Sequence, residues 1–275
     1  VGVSPTVDQL RRDYDAICIT IGAEAPRDLP APGRVLKGIE LAMTFLVQQN
    51  KREMGATIEP AEAIDARDKH VVIIGGGDTG SDCAGTCVRQ GARSVRQFEL
   101  LPQPPAERSE TTPWPLWPMQ LRTSHAHEEG CERDWSVSTV AFSGSAGHVG
   151  ALDAVRVVPE TRDGRTTFAP VPGSEFRIDA DLVLLAMGFT GPRCDSLLTQ
   201  LGVELTQNGL VRTDEMHRTS IPGVFAAGDA RRGASLIVWA IREGRDAAAG
   251  IDAYLRAGTS AGDSLTAINS RVAVI

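Results

Sequence analysis

The most regular pattern of apolar and polar positions in the chain lies between Lys69 and Glu99. The apolar run Val71–Ile74 is continuous, which is typical of a parallel strand buried on both faces. A glycine-rich turn follows, and small apolar residues then recur at helical spacing as far as Gly91, a residue favoured just after a helix. A second β-type run, Ser94–Phe98, ends at Glu99. The pattern predicts the strand, turn, helix and strand of an α/β fold.

The turn in this segment is a complete G-x-G-x-x-G, formed by Gly75, Gly76, Gly77, Asp78, Thr79 and Gly80. The first glycine of such a turn permits a tight reversal, the second lets the backbone approach a pyrophosphate, and the third lets helix and strand pack closely. The helix N-terminus adds amide donors for the phosphates. An acidic residue that ends the second strand, here Glu99, can hold the ribose hydroxyls. The spacing predicts a dinucleotide site; the alternative is a glycine-rich turn inside another α/β sheet.

Other apolar runs predict buried strands that lead into glycines. These are Asp15–Ile21 before Gly22, Asp181–Met187 before Gly188, and Val224–Ala227 before Gly228 and Asp229. Leu36–Gln49 has a helical period, and Ser235 is expected to cap a long helix near the end of the chain. Residues 133–142 and 152–159 predict a pair of antiparallel strands joined by a turn at 143–150. The proline-rich stretch 102–118 predicts an ordered loop pinned by Trp114 and Trp117.

Composition narrows the class of protein. The chain has 275 residues with 35 Asp and Glu against 28 Lys and Arg, which argues against nucleic acid or an acidic membrane surface as the main partner. No apolar run approaches the ~18 residues of a membrane span, and no signal peptide opens the chain. The five cysteines are scattered, which fits a reducing cytoplasm, and Cys83 and Cys87 are expected to be buried hydrophobes. Because the first residue is Val1, the chain is expected to be a piece of a longer protein.

Five separated motifs occur in order along the chain: GGGDTGSDCAGT, FELLPQPPAER, PWPLWP, ADLVLLAMGF-GP and VFAAGDARRG-SLIVWAI-EGR. Together they resemble the small (beta) subunit family of glutamate synthase, within the flavoprotein reductases that bind two dinucleotides. The resemblance implies a Rossmann-like NAD(P)-binding domain nested in the C-terminal part of an FAD-binding domain. The implied boundaries are 1–28 for a remnant of the FAD domain, 29–66 for a connecting helix and linker, 67–187 for the NAD(P) domain and 188–275 for the rest of the FAD domain.

The resemblance also implies an activity. A reduced nicotinamide cofactor would bind at the Gly75 loop and pass a hydride to FAD, and electrons would leave through iron–sulfur clusters to a large (alpha) subunit that makes L-glutamate from glutamine and 2-oxoglutarate. No acid–base residue is needed, since catalysis here means orienting two cofactors. The family's cysteine-rich cluster segment and its first G-x-G-x-x-G, which holds FAD, are missing from this chain. We therefore expect the isolated chain to bind adenine dinucleotide but to retain little FAD.

Further site residues are carried over from the family motifs. Asp229 matches the partner of the flavin ribityl or pyrophosphate group, with Gly228 before it, and the alternative is a turn aspartate that caps the next helix. The amides of Ser235 and Leu236 would stabilise negative charge on a reduced flavin. Gly188 would mark a crossing between the two domains. Trp239 would stack or pack, and packing is favoured.

The choice between NADH and NADPH depends on the end of the second strand. A carboxylate at Glu99 would hydrogen-bond the two ribose hydroxyls of NADH and repel the 2′-phosphate of NADPH. Leu100 and Leu101 stand where NADPH users place arginines. NAD(H) is therefore favoured over NADP(H), with NADPH bound through Arg108 as the rival.

Two matters stay open on the sequence. His125, His127 and the acidic residues after them suggest a metal site, but a polar surface segment is the favoured interpretation because no further ligands complete a set. The chain could also belong to a related NAD(P)H–acceptor reductase that serves another partner. A third possibility is a truncated nucleotide-binding module without turnover.

Overall fold

The computed structural model describes residues 5–114, 116, 118–194, 197–258 and 270–275. The helices are α1 (Val7–Asp13), α2 (Ala42–Glu53), α3 (Asp78–Gln90), α4 (His125–Glu128), α5 (Leu197–Leu201), α6 (Asp229–Arg232) and α7 (Ile237–Gly258). The strands are β1 (Ala16–Ile19), β2 (Ala25–Pro26), β3 (Ile39–Leu41), β4 (His70–Ile74), β5 (Ser94–Glu99), β6 (Glu132–Trp135), β7 (Val137–Ser145), β8 (His148–Arg162), β9 (Arg165–Pro170), β10 (Phe176–Asp179), β11 (Leu182–Leu185), β12 (Phe189–Gly191), β13 (Val224–Ala226) and β14 (Val272–Val274).

The chain forms two compact units. The first, which we call unit 1, combines residues 1–27 with residues 189–275. The second, unit 2, is the continuous stretch Asp28–Gly188. Unit 2 is therefore inserted, in sequence, between the two parts of unit 1. No helix in the described part of the chain is long and apolar enough to cross a bilayer.

Unit 2 is built on a parallel sheet in the order β3-β11-β4-β5-β6. Its central strands, β4 and β11, are apolar on both faces because each face is covered. Val71 and Ile73 belong to the core shared with α2 and α3, whereas Val72 belongs to the core shared with the antiparallel strands β7, β8 and β10. The continuous apolar run of β4 is explained by this two-sided burial.

Unit 1 contains a smaller parallel sheet in the order β13-β1-β14. Ile17 and Ile19 of β1 pack in the core that also holds residues of α1 and α5. Ala16 and Cys18 point to the other face, where they pack with residues of α7. A short antiparallel pair, β2 with β12, also belongs to this unit.

The helix α2 begins later than the sequence predicts. The helix predicted from Leu36 begins only at Ala42, because Ile39–Leu41 forms the edge strand β3 beside β11. A strand of three residues is too short to show an alternating apolar pattern. The prediction therefore extended the helical period of the following residues over this strand. Segment 29–66, predicted as a connector, thus contributes a strand and a helix to unit 2.

The antiparallel pair is confirmed for β7 and β8, but its first predicted residues belong elsewhere. Arg133–Trp135 lies in β6, which runs parallel to β5. Ser136, between β6 and β7, has a positive φ of 56° and separates the two strands. The proline-rich loop is also held differently from the prediction. Trp114 is 82% exposed and so does not pin it, and Trp117 lies outside the described residues.

Candidate functional site

The glycine loop lies at the point where the strand order of unit 2 reverses. From β4 the chain continues outward through β5 and β6, while β11 lies on the opposite side of β4. In open parallel sheets, ligands bind outside the carboxyl ends of the two strands that flank such a point. Here those ends are Ile74 with Gly75 after it, and Leu185 with Ala186 after it.

Close packing explains two of the three motif glycines. Gly75 has a φ of 122°, and a Cβ there would overlap the carbonyl oxygen of Ala186. A Cβ on Gly80 would overlap the carbonyl oxygen of Gly75 and the amide nitrogen of Gln97. By contrast, a Cβ on Gly77 would meet no protein atom within 4 Å. The protein leaves open space at the position where the motif expects a pyrophosphate.

Helix α3 offers backbone donors to that space. Its N-cap is Gly77, which has no side chain to satisfy the first amides of the helix. Asp78 and Thr79 form the start of the first turn, and the helix runs for 13 residues. Unsatisfied amides and the positive end of the helix dipole favour a phosphate group. The described residues therefore fit the pyrophosphate of a dinucleotide.

Strand β5 fixes the glycine loop from the side with three hydrogen bonds. The carbonyl of Phe98 accepts from the Gly75 amide at 2.8 Å, and the side-chain amide of Gln97 donates to the Gly75 carbonyl at 2.8 Å. The carboxylate of Glu99 accepts from the Gly76 amide at 2.8 Å through Oε2. Its Oε1 accepts from the Leu101 amide at 2.9 Å. Glu99 thus lies at the glycine loop, while its contact with a ribose stays a prediction.

Arg108 is engaged within its own loop. Its guanidinium donates to the backbone carbonyls of Thr112 and Leu116. Further backbone bonds, from Ser109 to the Met119 carbonyl and from Leu121 to the Pro105 carbonyl, close the same loop. These bonds account for the order of the loop.

The predicted flavin-contacting turn lies in unit 1, after β13. Gly228 has a φ of 70°, and Asp229 begins the short helix α6. The hydroxyl of Ser235 donates to Oδ1 of Asp229 at 3.0 Å, and α7 begins at Ile237. The sequence predicts Ser235 as the cap of α7, and that prediction is wrong because α7 begins at Ile237, so Leu236 and not Ser235 directly precedes the helix. Leu236 directly precedes α7 and is exposed.

Trp239, on the first turn of α7, packs in a different way from a core residue. It is about half-exposed, and the guanidinium of Arg232 lies over its ring at 4.6 Å from the centroid. The contact is a cation–π interaction on the surface of unit 1. Gly188, the last residue of unit 2, has a φ of 79° and no protein atom within 4 Å of an added Cβ.

Sequence reasoning missed Glu243, which organises this turn. Its side chain is only 3% exposed, and Oε2 accepts from the Gly228 amide at 2.9 Å. Oε1 accepts from Arg231 at 2.9 Å and from Arg232 at 2.7 Å. One buried carboxylate therefore holds the turn and both arginines. The available signal was an acidic residue at the helical spacing of the buried residues Ala247 and Ile251.

Sequence reasoning also missed Gln97 and its contact with His127. Gln97 is a polar residue at a buried position of β5 and is 2% exposed. Nε2 of His127 lies 2.8 Å from Oε1 of Gln97, so His127 is partly buried and linked to the glycine loop. The prediction of a polar surface segment did not include this contact of the His127 side chain with Gln97. His125, two residues earlier, is fully exposed and does match that prediction.

Burial sets the protonation of several groups in unit 2. It raises the pKa of the Cys83 thiol to about 12, with a smaller contribution from Asp82, and raises the pKa of Cys131 to about 11. The pKa of Cys87 is raised further, again mainly by burial. All five cysteines are free, and Cys83 and Cys87 are buried as predicted. Among the described residues, no three His, Cys, Asp or Glu side chains are placed to hold a metal ion.

Comparison with known sequences gives the chain a context. Residues 3–244 match the family described as Pyridine nucleotide-disulphide oxidoreductase. Over 258 residues the chain is 53% identical to the protein of Mycobacterium tuberculosis (strain ATCC 25618 / H37Rv) named Glutamate synthase [NADPH] small chain, covering 93% of this chain and 52% of that protein. Over 256 residues it is 41% identical to Glutamate synthase [NADH] of Schizosaccharomyces pombe, covering 90% of this chain and 12% of that protein. The chain spans about half the length of the small chain it matches.

Comparison with solved structures addresses the fold. Mycobacterium tuberculosis FprA, in its complex with NADPH, is similar with a TM-score of 0.72 and 16% sequence identity, covering 98% of this chain and 71% of that chain. At this identity the likeness shows the fold alone. The predicted α/β dinucleotide-binding flavoprotein fold is confirmed.

Proposed function

The chain belongs to the pyridine nucleotide-disulphide oxidoreductase family, and on this premise we propose that it is the nicotinamide-oxidising part of a glutamate synthase small subunit. A reduced dinucleotide binds at Gly75–Gly80, and its electrons pass through FAD to a large subunit that forms L-glutamate from glutamine and 2-oxoglutarate. The likeness to the mycobacterial small chain, which extends over nearly the whole of this chain, is the observation that carries the proposal.

The geometry of unit 2 supports the nucleotide-binding part. The uncapped start of α3 and the open space at Gly77 suit a pyrophosphate, and the reversal of strand order at β4 is where such a ligand binds. The bound dinucleotide supplies a hydride. The residues of this chain hold it by backbone amides and fix the loop through Gln97 and Glu99.

Unit 1 supports the flavin part through the turn at Gly228 and Asp229. The buried carboxylate of Glu243 holds this turn in a conformation that presents Asp229 at the start of α6. Leu236, directly before α7, and Ile237, its first residue, are exposed apolar side chains that follow Ser235. We assign Gly228, Asp229, Ser235 and Leu236 to the flavin side of the site, and Gly188 to the crossing between the two domains.

For the electron donor we propose NADH, with NADPH as the rival. The carboxylate of Glu99 at the end of β5 supports NADH because it repels a 2′-phosphate. The bonds of Arg108 to its own loop weigh against its use as a phosphate ligand. The name of the mycobacterial relative supports NADPH, whereas that of the yeast relative supports NADH.

The test is spectroscopic. The protein, produced from its complete reading frame, should show a flavin absorption band that is bleached anaerobically by NADH. Mixed with a glutamate synthase large subunit, it should then support glutamate formation from glutamine and 2-oxoglutarate. Bleaching without glutamate formation would favour a reductase that serves another partner. A colourless protein that binds dinucleotide without oxidising it would favour a binding module without turnover.

A further inference from the structure

A buried side chain connects the glycine loop to a histidine outside it. The amide nitrogen of Gln97 donates to the Gly75 carbonyl at 2.8 Å, and Oε1 of the same amide lies 2.8 Å from Nε2 of His127. A carbonyl only accepts hydrogen bonds, so the first contact fixes which end of the Gln97 amide faces the loop. Oε1 therefore faces His127 and needs a donor. It follows that Nε2 of His127 carries a proton.

The other ring nitrogen of His127 must be an acceptor. Nδ1 lies 3.2 Å from the backbone amide of Ser124 and 3.0 Å from its hydroxyl. A backbone N–H only donates, so Nδ1 is unprotonated in this arrangement. The Ser124 hydroxyl also contacts the hydroxyl of Ser81, which is buried in the first turn of α3. The neutral ring thus touches both sides of the nucleotide loop, through Gln97 at Gly75 and through Ser124 at α3.

We propose that His127 is a positioning residue for the nucleotide site, and that its neutral form, with the proton on Nε2, holds the glycine loop in the shape that accepts a dinucleotide. This inference rests on the proposed function, since it takes Gly75–Gly80 to be the nucleotide loop. Protonation of Nδ1 would place two donors face to face at the Ser124 amide. The hydrogen bonds that join Gln97, His127 and Ser124 would then break. The affinity for dinucleotide would therefore decrease as the pH is lowered.

The charges around His127 favour the neutral form. Partial burial lowers the pKa of His127 from its ordinary 6.5, and the positive charge of Arg133 on β6 lowers it further. Gln97, the β5 residue that bonds to the ring, is uncharged. Next to α4, Arg89 of α3 pairs with Glu129, and Nδ1 of His125 lies 3.5 Å from a carboxylate oxygen of Glu128. The ring is therefore neutral near pH 7 and takes up a proton only in more acidic solution.

Calorimetric titration of NAD⁺ and NADP⁺ at about pH 8 and about pH 5.5 tests the inference. Because the pKa of His127 is lowered from 6.5, wild type should bind more weakly at the lower pH by a factor of up to about ten. His127→Gln should bind with unchanged affinity at both pH values. The glutamine side-chain amide can donate a hydrogen bond to Gln97 from a similar position and does not titrate. His127→Leu leaves Oε1 of Gln97 without a donor and should bind about tenfold more weakly already at the higher pH. His125→Gln is the matched control on the same short helix and should behave as wild type.

The outcomes separate the two proposals. At each pH, the affinity of wild type is divided by the affinity of His127→Gln. This ratio removes the effect of protonation of the ligand's own 2′-phosphate, which is the same for both proteins. If that ratio does not change with pH, the inference is overturned, while nucleotide binding itself stands. If wild type binds neither nucleotide at the higher pH, the proposed function fails instead. Thermal melting shows whether His127→Leu is folded, and if it is not, wild type and His127→Gln still decide the question.

Discussion

Oε2 of Glu99 accepts a hydrogen bond from the backbone amide of Gly76 at 2.8 Å, within the glycine loop itself. The residue expected to select the ribose is therefore also a support of the loop. Its second oxygen accepts from the amide of Leu101 at 2.9 Å. Each carboxylate oxygen has a second lone pair, so both oxygens can still accept bonds from ribose hydroxyls.

Replacement of Glu99 separates these two roles. Glu99→Ala should weaken NADH binding by about tenfold through loss of charge-assisted hydrogen bonds, and should weaken NADPH binding less, because repulsion of the 2′-phosphate is also removed. Titration of both nucleotides at fixed salt measures the ratio. Equal losses for the two nucleotides would mean that Glu99 acts on the loop alone. A wild type that already prefers NADPH tenfold would contradict the proposed donor.

Arg108→Ala tests the rival arrangement. Because the guanidinium bonds to the carbonyls of Thr112 and Leu116, we expect the variant to loosen its loop and to leave the NADH to NADPH ratio unchanged. The same titrations provide the measurement. A selective loss of NADPH affinity would place Arg108 on the 2′-phosphate.

Substitution of Gly77 should affect dinucleotide affinity, whereas substitution of Gly80 should affect stability. Gly77 has an extended backbone and open space around it, so Gly77→Val should lower dinucleotide affinity by at least about tenfold and change the free energy of unfolding by less than about 0.5 kcal/mol. Gly80→Ala would overlap the Gly75 carbonyl and should destabilise the protein by about 1–3 kcal/mol. Calorimetry and thermal melting on both variants make the comparison. Unchanged affinity in Gly77→Val would remove the pyrophosphate from this position.

Loss of Glu243 should destabilise unit 1. Glu243→Ala leaves Arg231 and Arg232 without their buried partner and should cost about 3 kcal/mol. The control is Asp246→Ala on the same helix, where an exposed pair with Arg242 is lost at a cost of about 0.5 kcal/mol. Denaturant unfolding measures both. Equal effects for the two variants would show that the buried carboxylate does not stabilise the turn.

The thiols of buried Cys83 and partly buried Cys131 should react slowly in the folded protein. A pKa of about 12 for Cys83 and about 11 for Cys131 leaves at most about one thousandth of either as thiolate at about pH 8. Iodoacetamide at that pH should modify neither in the native protein and both after denaturation, as read by mass spectrometry. Raising the pH should increase the native rate. Rapid modification of native Cys83 would contradict its burial.

The local part of the nucleotide site could be predicted from the sequence. The periodicity of apolar residues and the preferences of turn residues predict the loop Gly75–Gly80 and the helix after it. They also predict the end of that helix at Gly91, which adopts the left-handed conformation. Glu99 was placed correctly at the end of its strand. These features lie within one continuous segment, so no long-range contact had to be known.

The supporting residues could not be predicted in the same way. His127 reaches Gln97 only because α4 packs on α3 next to β5, and Glu243 reaches Gly228 only because α7 packs behind β13. The distance in sequence between His127 and Gln97, or between Glu243 and Gly228, follows no motif that could have indicated the contact. The signal that was present, a polar residue at a position that the periodicity of its strand or helix buries, indicates that a partner exists but not which one.

The pairing of Ile17 with Val224 has a consequence for the order of folding during synthesis. Both neighbours of β1 in its sheet, β13 and β14, are translated only after the whole of unit 2. The parallel sheet of unit 2 is complete once Leu185 has been made, so unit 2 can fold while β1 is still without partners. Long-range parallel pairing is slow, and an apolar unpaired strand invites aggregation. Closure of the sheet around β1 is therefore the late step on the ribosome, and the period before it is when a chaperone would be of most use.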